Sequence, residues 1–161
     1  MNFCMKTAPP KPIVEARIRV RYAETDQMGV VYYANYLVWM EVARMEWCRA
    51  FGVDYREMER EDGVALAVVE ANCRYRSPAR FDDEVVIRTW VEEANSRVVT
   101  IQYEMRVAAD GRLVATGYTR HIFVGAAMRK ARCPLRYRAA FGMGNENAGI
   151  DNRTQVSEDV G

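Results

Sequence analysis

The amino-acid sequence predicts an α+β domain in which about five antiparallel strands cover one long helix. One observation is the run over residues 32–51, where large apolar side chains recur at helical spacing. The other is the region after residue 64, where apolar and polar residues alternate with a period of two in four successive segments. The chain has 161 residues, which suits a single domain with its own core.

Five segments have the alternation of half-buried strands. They span residues 13–22, 65–75, 84–93, 98–107 and 113–124. Between the last two, Asp110-Gly111 is a hairpin turn signal. Consecutive alternating strands joined by tight turns favour an antiparallel sheet with one face covered.

The long helix is predicted over residues 32–51 and is ended by Gly52, a typical helix stop. Its apolar stripe is interpreted as a core face and consists of Tyr36, Trp39, Met40, Ala43, Trp47, Ala50 and Phe51. The charged residues of the same run lie mostly on the remaining surface; they are Glu41, Arg44, Glu46 and Arg49. Shorter helical stretches are expected at 55–62 and 134–141. We expect the domain to span 13–141, after a loose lead-in over 1–12 and before a disordered tail over 142–161.

Composition excludes several classes of function. The net charge of +1 argues against a dedicated nucleic-acid-binding protein. No apolar run is long enough to span a membrane and the first residues lack a signal-peptide core, so we expect a cytoplasmic protein. The four widely spaced cysteines are expected to be free thiols. With His121 as the single histidine, no glycine-rich phosphate loop and no serine elbow, an enzyme of this sequence would rely on carboxylates, backbone amides and water. His121 itself is expected to be packed rather than catalytic.

The stretch ETDQMGVVYYANY, residues 24–36, places Asp26 before a glycine turn and the start of the predicted helix. Unpaired N–H groups at a helix start can stabilise an oxyanion, so a carboxylate and an amide donor can meet at one carbonyl. The same Asp26 could be a helix cap or a strand-end residue, since aspartate is favoured in both roles. Glu24 would point away from Asp26 if the first strand continues that far, and could raise the pKa of Asp26 if it does not.

Residues 24–52 resemble the signature of the 4-hydroxybenzoyl-CoA thioesterase-like family of hotdog-fold acyl-CoA thioesterases. The shared pattern, D-x-x-G-V-V-Y-x-x-N-Y, is carried here by Asp26, Gly29, Val30, Val31, Tyr32, Asn35 and Tyr36. The run RYRSPARFDDEVVIRTWV, residues 74–91, also resembles this family. The resemblance implies a hotdog fold, a curved sheet wrapped around the helix. It also implies homodimers joined sheet edge to sheet edge, often paired into homotetramers, with active sites at the subunit interface.

The resemblance also implies roles for individual residues. Asp26 would act as a nucleophile through a mixed anhydride or as a general base on water, and the backbone N–H at Tyr33 would polarise the thioester carbonyl. Substrate contacts are expected at Gly29, Val30, Val31, Tyr32, Ser96 and Arg97. No metal and no organic cofactor is required. Many relatives have histidine where this chain has Tyr33, so side-chain help in catalysis is not expected there, whereas a backbone role survives.

The expected substrate is an acyl-CoA, whose phosphates need basic partners. Two arginine clusters are candidates: Arg74, Arg76 and Arg80, and the group of Arg129, Lys130, Arg132, Arg136 and Arg138. Two alternatives stay open, a thioesterase acting on acyl carrier protein and a hotdog module that binds acyl-CoA without turnover. The acyl group is also open, because Tyr32, Tyr36, Trp39 and Phe81 could bind an aryl group or pack.

Overall fold

The computed structural model describes residues 11–144, in which five antiparallel strands form one sheet. The strands are β1 (Val14–Arg19), β2 (Ala65–Tyr75), β3 (Glu84–Ala94), β4 (Val98–Val107) and β5 (Leu113–Val124). Their order across the sheet is β1-β3-β4-β5-β2, and every neighbouring pair is antiparallel. The predicted α+β class and the five strands are confirmed. The first strand is shorter than predicted, because Tyr22–Glu24 forms a 3₁₀ turn.

The long helix, α1, spans Asn35–Ala50. It begins three residues later than residue 32, the predicted start, because the Asn35 N–H bonds the carbonyl of Tyr32 in a turn that precedes the helix. It ends at Ala50, one residue before the predicted end, and the predicted stop, Gly52, follows with φ of 68°, a left-handed conformation that glycine adopts at low cost. The predicted tail falls partly on residues 145–161, which lie outside the described residues.

Two short helices complete the fold at the positions expected for helical segments. α2 spans Tyr55–Glu61 and is capped by Asp54, whose Oδ1 accepts a hydrogen bond of 3.1 Å from the Glu57 N–H. α3 spans Leu135–Arg138, a shorter helix than the predicted 134–141. All of these elements lie within the predicted domain of residues 13–141.

The sheet packs around one face of α1, and this contact forms the core. Five of the seven predicted stripe residues are buried: Tyr36, Trp39, Met40, Ala43 and Trp47. Ala50 is exposed and Phe51 is partly buried. Gly117 on β5 lets α1 approach closely, since an added Cβ would lie 2.5 Å from the Met40 Cε atom.

One predicted surface residue of α1 is buried instead. Arg44 is only 8% exposed and lies under the sheet, where its Nη1 donates a 3.3 Å hydrogen bond to the Tyr103 hydroxyl. The chain of contacts continues from Tyr103 to Thr119 (2.8 Å) and from Thr119 to His121 Nε2 (2.8 Å). No carboxylate among the described residues pairs with Arg44, so its charge is compensated by hydroxyl dipoles alone.

His121 is fully buried, as expected for a packed histidine. Burial, together with the positive charge of Arg44, lowers the pKa of His121 from 6.5 to about 3. The folded protein therefore keeps this imidazole neutral at pH values where the unfolded chain would protonate it.

This difference predicts a loss of stability on mild acidification. Below pH 6.5 only the unfolded state binds the proton, so the free energy of unfolding should fall by at most about 1.4 kcal/mol per pH unit as the pH decreases. Urea denaturation between pH 7 and pH 5 measures this slope. In His121→Gln the slope should largely vanish, since the chain has no other histidine. An equal slope in both proteins would show that His121 is not the titrating group.

Candidate active site

The loop after the 3₁₀ turn holds Asp26 in a tight, fully bonded conformation. The Asp26 N–H bonds the Val30 carbonyl and the Gly29 N–H bonds the Asp26 carbonyl, both at 2.9 Å. Gly29 has φ of 72°, so the turn requires the freedom of glycine. One carboxylate oxygen of Asp26, Oδ1, accepts a 2.8 Å hydrogen bond from the Met28 N–H. The other, Oδ2, has no bonded donor among residues 11–144 and is free to face a ligand.

Glu24 holds this loop in place through hydrogen bonds of its buried carboxylate and its backbone carbonyl. It is 5% exposed, and its carboxylate accepts hydrogen bonds from the Arg21 N–H (2.8 Å) and from the Trp39 indole N–H of α1 (3.0 Å). Its backbone carbonyl accepts two more, from the Tyr32 N–H (2.8 Å) and the Asn35 side-chain amide (2.9 Å). One residue therefore ties the strand end, the Asp26 loop and the helix start together.

The sequence left two cases open for Glu24, depending on where the first strand ends. That strand ends at Arg19, so Glu24 does not lie on it, and its carboxylate is bonded to the Arg21 N–H and the Trp39 indole. Burial works against ionisation of Glu24. The hydrogen bonds from the Arg21 backbone, Trp39 and the Arg21 guanidinium outweigh burial and lower its pKa below 4.5.

The start of α1 presents free backbone donors. The N–H groups of Tyr33 and Ala34 bond no acceptor in the described part of the chain, and no side chain caps the helix at Ala34. The carbonyl of Tyr32 accepts from Asn35, and that of Tyr33 accepts from the Tyr75 hydroxyl at 2.9 Å. Two unpaired amides beside the positive end of a 16-residue helix can stabilise a developing oxyanion.

A cleft of about 370 Å³ brings these features together. Its lining residues are Asp26, Met28, Val30, Val31, Tyr33, Tyr36, Tyr75, Arg76, Ser77 and Pro78. Four of the predicted site residues, Asp26, Val30, Val31 and Tyr33, therefore share one cleft. Gly29 and Tyr32 belong to the same loop but do not line it.

Of the cleft residues contributed by β2 and the loop after it, only Arg76 was predicted, as a candidate partner of the CoA phosphates. Tyr75, Arg76, Ser77 and Pro78 face Asp26 although more than forty residues separate them in the chain. The sequence did carry a signal for them, since these residues lie in the second family-like run, RYRSPAR. Tyr36 was interpreted as a core residue, and it is 3% exposed. It also lines the cleft, where its ring contacts that of Tyr75 with 5.1 Å between centroids.

Ser96 and Arg97 lie elsewhere in this chain. They line a separate cleft of about 240 Å³ at the turn between β3 and β4. The strand pairing places this turn near the end of β5 that pairs with Ala65, whereas Tyr75 pairs with Ala115 toward the other end. Within one chain, the structure does not bring Ser96 and Arg97 to Asp26.

Arg76 of the first cluster and Arg136 of the second are placed differently. Arg76 lines the cleft, and Arg74, Arg76 and Arg80 form no ion pair within residues 11–144. In the second cluster, Arg136 is paired with Glu57 (2.9 Å) and Asp62 (2.6 Å). The first cluster is therefore the better placed to meet phosphates near Asp26.

Other kinds of site have little support in the described residues. No group of three histidine, cysteine or acidic side chains is arranged to hold a metal ion there. Cys48, Cys73 and Cys133 are free thiols, as expected, and burial raises the pKa of Cys48 and of Cys133 to about 11. Cys4 lies outside the described residues. No helix in residues 11–144 is long and apolar enough to cross a membrane.

Comparison with known proteins identifies the family. Residues 20–148 match the thioesterase-like superfamily. This chain belongs to that family. It is a hotdog-fold thioester hydrolase, and its predicted relationship to 4-hydroxybenzoyl-CoA thioesterase-like proteins is confirmed.

Individual relatives of this thioesterase cover most of its length. YneP of Bacillus subtilis (strain 168), provisionally named an acyl-CoA thioesterase, is 40% identical over 129 residues, which cover 80% of this chain and 90% of YneP. The acyl-CoA thioesterase YbgC of Haemophilus influenzae is 30% identical over 77% of this chain and 90% of its own. A DHNA-CoA thioesterase structure from Staphylococcus aureus superposes with a TM-score of 0.76 at 30% identity, covering 81% of this chain and 89% of that chain.

The role of Glu24 in holding the loop predicts a stability effect. In Glu24→Gln the hydrogen bonds lose their charge, which should lower the free energy of unfolding of the thioesterase by about 1–2 kcal/mol at pH 7. Urea denaturation measures the change. Because the folded-state pKa is lowered, the difference from wild type should be full above pH 4.5 and should shrink as the pH falls below that value.

The matched control is Glu41→Gln, which changes an exposed glutamate on α1 that forms no ion pair in residues 11–144. It should alter the free energy of unfolding by less than about 0.5 kcal/mol. Equal effects of the two substitutions would contradict the anchoring role of Glu24.

Proposed function

We propose that this thioesterase hydrolyses an acyl-CoA to a carboxylic acid and free CoA, with Asp26 as the reacting carboxylate. The observation that carries the proposal is the cleft in which the free Oδ2 of Asp26 lies near a helix start with two unpaired amides. Relatives named as acyl-CoA and DHNA-CoA thioesterases support this substrate class. The arrangement supplies both a carboxylate and an oxyanion site, the two requirements of thioester hydrolysis.

Two routes use the same groups. As a general base, Asp26 would take a proton from water while the water oxygen adds to the thioester carbonyl. As a nucleophile, Oδ2 would add to that carbonyl directly. The tetrahedral intermediate then expels the CoA thiolate, which takes up a proton. The nucleophilic route leaves a mixed anhydride, which a water molecule hydrolyses to the acid and regenerated Asp26.

The Tyr33 N–H would stabilise the oxyanion in either route. It has no acceptor in the described part of the chain, so binding the developing charge costs no existing hydrogen bond. The Tyr33 side chain is 61% exposed and its ring lies against that of Tyr32 at a tilt of 49°, with centroids 4.5 Å apart. The backbone of this residue, rather than its phenol, is therefore assigned the catalytic task.

The carrier of the acyl group is proposed to be CoA, which the relatives named as acyl-CoA and DHNA-CoA thioesterases support, and Arg76, which lies in the cleft, is the candidate to bind its phosphates. Guanidinium groups bind phosphate oxygens through paired hydrogen bonds. The cytoplasmic location expected from the sequence stays a prediction.

The Asp26 assignment is tested with a panel of short, long-chain and aromatic acyl groups on CoA and on acyl carrier protein. Wild type should release thiol from acyl-CoA, and Asp26→Asn should lower kcat by about 10³-fold with little change in thermal stability. Asp54→Asn, at the α2 cap, is the control and should retain activity. Full activity in Asp26→Asn would overturn the assignment. Faster turnover of the thioester on acyl carrier protein would show that this protein, rather than CoA, is the acyl carrier. Tight binding of acyl-CoA without thiol release would favour a binding module.

The working unit is proposed to be a homodimer joined at the β2 edge, from which homotetramers could form. β2 is the outermost strand beside β5, and it exposes Val68 (51%) and Val69 (53%) to solvent. The outward side of α1 exposes further apolar residues: Leu37, Val38 and Val42. An unpaired apolar edge is a surface that a second copy can cover. In this assembly the partner would bring Ser96 and Arg97 to the Asp26 cleft.

Subunit complementation tests this shared site. Asp26→Asn and Arg97→Ala should each be nearly inactive alone. Mixed dimers reconstituted from the two should recover about a quarter of wild-type activity, because half of the dimers would carry one intact site of two. No recovery, in a protein that sedimentation shows to be dimeric, would mean that Arg97 does not act across the interface.

A further inference from the structure

Tyr75 makes a contact that neither the sequence motif nor the proposed mechanism assigns. It is the last residue of β2, and its hydroxyl lies 2.9 Å from the carbonyl oxygen of Tyr33, 42 residues earlier in the chain. Its ring packs edge to face against Tyr36 of α1, with centroids 5.1 Å apart. A strand residue thereby reaches the backbone turn that precedes the long helix.

The direction of this hydrogen bond is fixed by chemistry. A carbonyl oxygen only accepts, so the Tyr75 hydroxyl must donate. Burial, and then the neighbouring Cys73, raises the pKa of Tyr75 to about 12, so the hydroxyl keeps its proton across the physiological range. The hydroxyl can therefore donate throughout this range.

The bonded carbonyl belongs to the turn that carries the free amides. The peptide of the Tyr33 carbonyl also contains the Ala34 N–H, and the preceding peptide contains the Tyr33 N–H. Asn35 bonds the carbonyl of that preceding peptide and Tyr75 bonds the carbonyl of the following one. The carbonyl oxygens of both peptide groups therefore accept hydrogen bonds, which fixes the orientation of the two peptide planes. The N–H groups of the same two peptides have no acceptors in the described residues. A hydrogen bond to a peptide carbonyl also polarises its N–H and strengthens it as a donor.

We propose that Tyr75 is a positioning residue for thioester hydrolysis, whose hydroxyl fixes the turn bearing the oxyanion-binding amides through the Tyr33 carbonyl. The inference rests on the proposed function, because it assumes that these amides receive the oxyanion. It is distinct from a packing role: the ring contact with Tyr36 needs no hydroxyl, and Tyr75 is 46% exposed. Loss of the hydroxyl alone should therefore affect the transition state more than stability or substrate affinity.

Steady-state kinetics of Tyr75→Phe test this separation. With benzoyl-CoA or decanoyl-CoA, whichever wild type hydrolyses faster, kcat should fall about tenfold and KM should change by less than about twofold, because the contact matters mainly when the oxyanion develops. Tyr118→Phe is the matched control. Its hydroxyl bonds Glu70 on the same strand pair, outside the cleft, so kcat should be unchanged. An unchanged kcat in Tyr75→Phe, or a rise in KM alone, would overturn the proposal.

Spectroscopy separates this inference from the proposed function. A thioester labelled with ¹³C at the carbonyl and bound to Asp26→Asn should show a carbonyl stretch at lower frequency than in solution. The shift should shrink when Tyr75→Phe is added. A frequency shift that is unchanged by Tyr75→Phe would overturn the role of Tyr75 but would still support the oxyanion site. The absence of any shift in Asp26→Asn would count against the proposed function itself.

NMR spectra of the ligand-free protein give an independent test of the positioning role. The amide resonances of Tyr33 and Ala34 should move in Tyr75→Phe but not in Tyr118→Phe, because only Tyr75 bonds the turn that contains them. Unchanged resonances would overturn the positioning role whatever the substrate is.

Discussion

The buried carboxylate of Glu24 is the constraint on which the arrangement of the site depends. A charged group that is 5% exposed is tolerated only when hydrogen-bond donors surround it, and here the Arg21 backbone and the Trp39 indole supply them. Trp39 can donate only while α1 lies in its packed position, so the fold of the core and the path of the loop are coupled. The carbonyl of the same residue receives the Tyr32 and Asn35 donors, which brings the chain back to the helix start. Asp26, two residues further on, is held by this frame rather than by contacts of its own free oxygen.

A site fixed in this way is prepared before the substrate arrives. Donors that already point at the place where charge develops need no reorganisation during the reaction, which is the main advantage that a protein has over water. The loop is held by Glu24 from the side of β1, and the turn before α1 is held by Tyr75 from the side of β2. These two strands are the opposite edges of the sheet. The curvature of the sheet around the helix brings them to the same end of α1, so the fold itself assembles the site.

The core beneath the site contains an unusual charge. Arg44 is buried without a carboxylate among residues 11–144, and it faces a row of hydroxyl groups that ends at His121. Burial, and then the positive charge of Arg44, lowers the pKa of His121. The single histidine of the chain is thereby committed to the core. Asp26 is the one acidic side chain among the residues that line the cleft.

The sequence by itself determined the parts of this protein that depend on local pattern. Period-two alternation located the five strands, helical spacing and Gly52 located α1, and the motif around Asp26 and Gly29 identified four residues of the cleft. Tertiary structure decided what local pattern does not contain. Arg44 reads as a surface residue because its helix position is polar, yet hydroxyl groups from two distant strands make its burial possible. Glu24 is buried because Trp39 meets it across the core. Tyr75 reaches Tyr33 only when the sheet edge folds back onto the helix start, a contact between residues 42 apart that no periodicity encodes.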